Sequence, residues 1–127
     1  MKYQKFEDTP VWQKARLFTS FVYGLIHKNQ NLKKDYGLSD QLRRATVLIL
    51  LNISEGFERG SNKDAAHFID FAKGSAGEVR SIAYVLFDNN YITKDDFEQL
   101  HDGSQNLSSQ LSAFKKYLVK NDFKKNF

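Results

Sequence analysis

Apolar residues recur along this chain at alternating spacings of three and four, the rhythm of an amphipathic helix rather than of a strand. The first stretch opens at Asp8-Thr9-Pro10, where a capping side chain precedes a proline whose missing N–H costs nothing in a first helical turn. Val11, Ala15, Phe18, Val22 and Leu25 follow, widened by Leu17, Phe21 and Ile26, and predict a helix over 10–28. Residues 29–37, dominated by Asn, Lys and Asp, read as a loop. A second helix over 38–58 carries Leu38, Leu42, Ala45, Ile49, Asn52 and Gly56 on one line. The run from Ala45 to Leu51 would pass alone for a buried strand, but the spacing on either side of it is helical.

Ser61-Asn62-Lys63-Asp64 has the form of a capping box with Asp in place of Glu. Behind it Ala65, Ile69, Ala72, Ala76, Val79, Ala83 and Leu86 predict a helix over 62–88 whose small residues allow close packing. Thr93-Lys94-Asp95-Asp96 caps a last helix over 94–120, with Phe97, Leu100, Ser104, Leu107, Leu111, Phe114 and Leu118 on its apolar line. The expected fold class is all-α, an antiparallel up-down-up-down four-helix bundle in one domain spanning 1–127. Its expected core is Phe18, Val22, Ala45, Ile49, Ala72, Val79, Leu107, Leu111 and Phe114.

Composition narrows the function. A chain of 127 residues, 41% hydrophobic and 27% charged, can bury a core and is not compositionally disordered. It has no cysteine, which removes disulfides, thiolate nucleophiles and thiolate metal sites. Its longest apolar stretch, residues 45–53, is about half the ~20 residues that a membrane span requires, and its start has no apolar signal-peptide core. A cytoplasmic protein without membrane contact is expected. The net charge of +4 resides in residues 115–127, where Lys115, Lys116, Lys120, Lys124 and Lys125 face Asp122; the remainder balances to zero. The segment from about 120 to 127 reads as a basic tail.

Three features exceed what a plain bundle needs. Asn52 lies on the core line of the second helix, either to fix helix register or to form a site with Glu55 and Arg59. Gly74 and Gly77 interrupt the third helix, each costing about 0.8–1 kcal/mol relative to alanine. With Asp70 and Ser81 they make a strip of small residues, either merely tolerated or open to another backbone. Val47 and Leu50 project from the back of the second helix, so its outer face is expected to meet another subunit.

Catalytic patterns are sparse. Asp64-Ala65-Ala66-His67 and Glu98-Gln99-Leu100-His101 have the spacing of di-metal bundles, but an antiparallel arrangement sets the two histidines roughly 30 Å apart. They cannot share a metal, and His27 beside Lys28 is a poor ligand. No metal or other cofactor is expected. The sequence contains no Gly-x-Ser-x-Gly elbow, phosphate loop or dinucleotide fingerprint. Arg59 and His67, across the Gly60 turn, match only loosely the Arg–His pair of helical ribonucleases.

Residues 40–59, Asp-Gln-Leu-Arg-Arg-Ala-Thr-Val-Leu-Ile-Leu-Leu-Asn-Ile-Ser-Glu-Gly-Phe-Glu-Arg, resemble the signature of the 23S rRNA intervening-sequence proteins, also called the S23 or four-helix bundle family. Val11-Trp12-Gln13-Lys14-Ala15 and the block from Phe68 to Glu78 match in order and spacing. The resemblance implies a bundle that assembles as a ring, typically a homopentamer, encoded in founding members within ribosomal RNA genes. A related branch, the accessory variability proteins of diversity-generating retroelements, implies work with nucleic acid and a reverse transcriptase. The family pattern falls on Arg44, Asn52, Glu55, Gly56, Arg59, Gly74, Ser75 and Glu78. Where the family has Ser-Ile-Pro-Ser, this chain has Leu48-Ile49-Leu50-Leu51, which implies a straighter helix and a packing surface.

Three functional classes follow. One is a non-enzymatic oligomeric protein associated with RNA or another nucleic acid; a second is a protein-interaction scaffold that binds a protein partner and no nucleic acid; the third is a hydrolase or nuclease. In the first, the bundle end that gathers Lys2, Lys5, Arg59, Lys63, Lys115, Lys116, Lys120, Lys124 and Lys125 is the expected nucleic-acid site. Phe123 and Phe127 would stack there on unpaired bases; otherwise the tail is solvated and kept basic for solubility. Val47, Leu50, Gly74 and Gly77 form the expected oligomer interface.

Overall fold

Extended backbone at Thr9 and proline at the first helical position start α1 (Pro10–Lys28). The computed structural model describes residues 3–125, with side chains through Asn121. Thr9 is buried, and its hydroxyl donates back to the Phe6 carbonyl at 2.6 Å instead of capping the helix. The Asn29 amide donates to the Leu25 carbonyl at 2.7 Å where α1 ends. The expected loop then contains a short helix, α2 (Gln30–Lys34). Leu32, fully buried, draws this turn onto the core, and its carbonyl accepts from the Ser39 hydroxyl. One apolar residue among polar neighbours carries no periodicity, so sequence pattern alone reads this segment as loop.

α3 (Tyr36–Glu58) begins at Tyr36 rather than Leu38 because Asp35 is its cap, accepting the Leu38 N–H at 3.2 Å. It runs unbroken through the leucine-rich stretch, as loss of the family's proline predicts. α4 (Asn62–Asp88) is capped by Ser61, whose hydroxyl accepts the Asp64 N–H at 3.1 Å. It stops where Asn90 turns left-handed (φ 59°), so that Tyr91 N–H reaches Leu86 O at 2.9 Å and Asn90 N–H reaches Phe87 O at 3.0 Å, a Schellman ending. α5 (Lys94–Lys125) starts on Thr93, whose hydroxyl accepts the Asp96 N–H at 3.1 Å. Its backbone stays helical beyond Lys120, so the basic segment continues the helix rather than leaving it.

α1 packs on α3 and α5, α3 on α4, and α4 on α5, closing a four-membered ring of long helices. Cross-contacts show each neighbouring pair to be antiparallel. Trp12 Nε1 donates to Ser54 Oγ at 3.1 Å; Lys28 Nζ meets Asp96 at 2.8 Å while Phe18 lies against Gly103; Lys115 meets Asp70 at 2.8 Å while Tyr84 abuts His101. The protein is thus an all-α four-helix bundle, with no strand among the described residues. No helix is long and apolar enough to cross a membrane.

The apolar line of α4, from Ala65 to Leu86, is buried throughout, as are Phe18, Val22, Ala45, Ile49, Leu107 and Leu111. Four positions depart from the sequence pattern. Phe114 is half-buried, its ring parallel to that of Tyr117 at 6.2 Å on the edge of the core. Leu17 is 71% exposed, at the open edge of the α1–α5 contact beside Phe18 and Gly103. Asn52 is half-buried, its amide donating to Leu48 O at 2.9 Å, and Ile53 takes the core position. Leu50 packs partly on its own core; Leu51, 53% exposed, is the residue that faces outward.

Candidate nucleic-acid interface

Long basic residues of α4 and α5 line an open groove where the two helices meet. Lys63, Ala66, His67, Asp70 and Lys73 recur at helical spacing on one flank of α4; Ser112, Lys115, Lys116, Val119 and Lys120 do so on α5. Between them lies an open groove of about 540 Å3 that continues into a smaller recess at Lys115 and Val119. Val119 is 50% exposed and forms an apolar floor. Lys115 is neutralised by Asp70, both partly exposed. Among the described residues Lys63, Lys73, Lys116 and Lys120 have no ion-pair partner.

The expected basic end is therefore brought together only in part. Lys63, Lys115, Lys116 and Lys120 line the groove. Arg59 does not: it pairs with Glu55 at 2.8 Å and lies over the Phe68 ring at 4.7 Å, above the α3–α4 contact. Lys5 is exposed on the segment that packs against α1 and α3, away from the groove. Lys2 and Phe127, and the side chains of Phe123, Lys124 and Lys125, lie outside the described residues. Lys73 and Val119 were not singled out by the sequence, although the spacing 63–66–70–73 places Lys73 on the flank of Lys63.

The family-pattern residues divide between structural and exposed roles. Gly56 sits at a close approach of α3 to α4: a Cβ there would lie 3.0 Å from Ala65 O and 3.0 Å from Phe68 Cβ. Glu55 and Arg59 clamp the turn that follows. Ser75 is buried, whereas Arg44, Gly74 and Glu78 are exposed. Added Cβ atoms at Gly74 and Gly77 meet nothing within 4 Å, so no contact within the chain accounts for these helical glycines. Val47 is half-buried, and on α4 Phe71 is 59% exposed.

His67 borders the groove, while His101 lies in a ring cluster with Tyr84 and Phe97 about 25 Å further along α4 by helical rise. Among the described residues no three His, Asp or Glu side chains converge on a point that a metal ion could occupy.

A family described as 23S rRNA-intervening sequence protein matches residues 7–113 of this chain. A crystal structure from Bacteroides thetaiotaomicron, described as a protein with unknown function from the S23 ribosomal protein family, superposes with a TM-score of 0.78. The two chains are 24% identical over 84% of this chain and 98% of that one, a likeness of fold. No curated protein matches the sequence.

Proposed function

The chain belongs to the 23S rRNA-intervening sequence protein family, and from that premise we propose that it is a non-enzymatic, oligomeric bundle protein that associates with nucleic acid, RNA foremost. The observation that carries this reading is the gathering of Lys63, Lys73, Lys115, Lys116 and Lys120 along one groove of a chain whose remaining charge is balanced. Such a surface suits a polyanion. Filter binding of labelled RNA across a salt series tests it: log affinity should fall linearly with log salt. Flat or absent binding overturns it. Labelled RNA should also emerge uncut from incubation with the protein, with or without chelator.

Assembly is supported by the outward glycines and by exposed Leu51 and Phe71. A ring of five rests on the resemblance alone. Light scattering at tens of micromolar should give a mass above the monomer; a monomer overturns assembly, and a dimer overturns only the number five.

The scaffold reading has its own support at the other end of α4. Tyr84 and Phe87 are exposed around Phe97 and His101, an aromatic patch suited to a protein partner. The salt series separates the two, since a scaffold binds no RNA.

A further inference from the structure

Resting on the nucleic-acid reading above, we propose that the α4–α5 groove is a track for single-stranded nucleic acid whose affinity is held down by Asp70. In this arrangement phosphates meet Lys63, Lys73, Lys116 and Lys120, and an unpaired base sits on Val119. Asp70 is the acidic residue lining the groove, and it occupies Lys115 at 2.8 Å. That pair is half-solvated, so it opens at little cost when a phosphate competes for the ammonium.

Geometry favours a single strand over a duplex. The flank from Lys63 to Lys73 is about 15 Å long by helical rise, room for a few phosphates. The groove is concave and Val119 lies within it, between lysines whose apolar stems extend the floor. A duplex presents a convex rod of phosphates with its bases stacked away from such a floor. A flexible strand can lay its backbone along the lysines and turn one base face onto the valine.

The test uses the full chain and a fluorescein-labelled oligouridine of about twelve nucleotides, read by anisotropy from low to moderate salt. Four unpaired lysines predict a log–log salt slope near −3, at roughly −0.7 per phosphate contact. The double variant Lys73→Gln, Lys120→Gln should bring the slope to about −1.4 and weaken binding about tenfold near 0.1 M salt. Asp70→Asn should tighten binding about threefold and steepen the slope by about 0.7, a gain that misfolding cannot imitate. Val119→Asn should weaken binding without changing the slope, because it removes a base contact and no charge. If the natural chain binds the oligomer but the double variant and Asp70→Asn bind it identically, the groove is not the site and the nucleic-acid reading stands. Salt-insensitive or absent binding by the natural chain removes both. Equal affinity for a duplex of the same length, or equally effective competition by polyglutamate, also overturns the single-strand assignment.

Discussion

At Gly103 an added Cβ would lie 2.5 Å from Cε1 and 2.8 Å from Cδ1 of Phe18, so this glycine is the notch that seats the ring. Gly103→Ala should lower stability by about 1–3 kcal/mol in urea denaturation, despite the gain of about 1 kcal/mol from helix propensity. Gly74→Ala makes the opposite prediction. Its Cβ enters open space, so the isolated chain should gain about 0.8–1 kcal/mol. The sequence shows five glycines alike within helical segments, at 24, 56, 74, 77 and 103. Which of them another helix needs depends on the facing residue, and that residue is distant in sequence.

At the scale of elements, local chemistry set most boundaries: Pro10, Ser61 and Thr93 begin helices as their residue types demand. Asp35 was the exception, a cap hidden among loop residues, and it does a second task. Its carboxylate accepts from the Tyr91 hydroxyl at 3.0 Å and thereby ties the start of α3 to the turn before α5. This hydrogen bond, the Asp35 charge and burial together hold the Tyr91 phenol above its ordinary 10.0, favouring the neutral form in the folded chain. The tie therefore contributes its full stability below about pH 10 and loses it as pH rises through the raised folded value. Tyr91→Phe should remove that part of the alkaline loss, seen in melting temperature measured from pH 8 to 11. At the end of α4, Asn90 holds φ 59°, so Asn90→Val should be costly whereas Asn90→Gly should fold normally in the same melts.

For the whole molecule, the faces left over after the ring of helices closes carry the remaining predictions. Leu51 on α3 and Phe71 on α4 are exposed, and their burial is what assembly would supply. Leu51→Asp and Phe71→Asp should shift sedimentation toward the monomer while changing the stability of the isolated bundle by no more than about 0.5 kcal/mol. Unchanged sedimentation in both variants would place any interface elsewhere. Of the residues expected at an interface, Val47 and Leu50 are half-buried within the chain, Leu50 on the flank of α3 that packs against the core.

The four long helices, the caps that start three of them, the alanine line of α4 and the confinement of the net charge to the last residues are local or periodic properties, and the sequence determined them by itself. Periodicity locates a face only to within a residue, which is why Asn52 was read into the core where Ile53 lies. Pairing between helices decided the rest. The antiparallel register of α4 and α5 set Lys73 beside Ser112 and Lys115 beside Asp70, while the α3–α4 contact placed Arg59 over the Phe68 ring. Charge count is written in composition, but charge geometry exists only once helices pack. The groove is therefore a property of the tertiary structure, because residues that face across it, such as Asp70 and Lys115, are 45 positions apart in the chain.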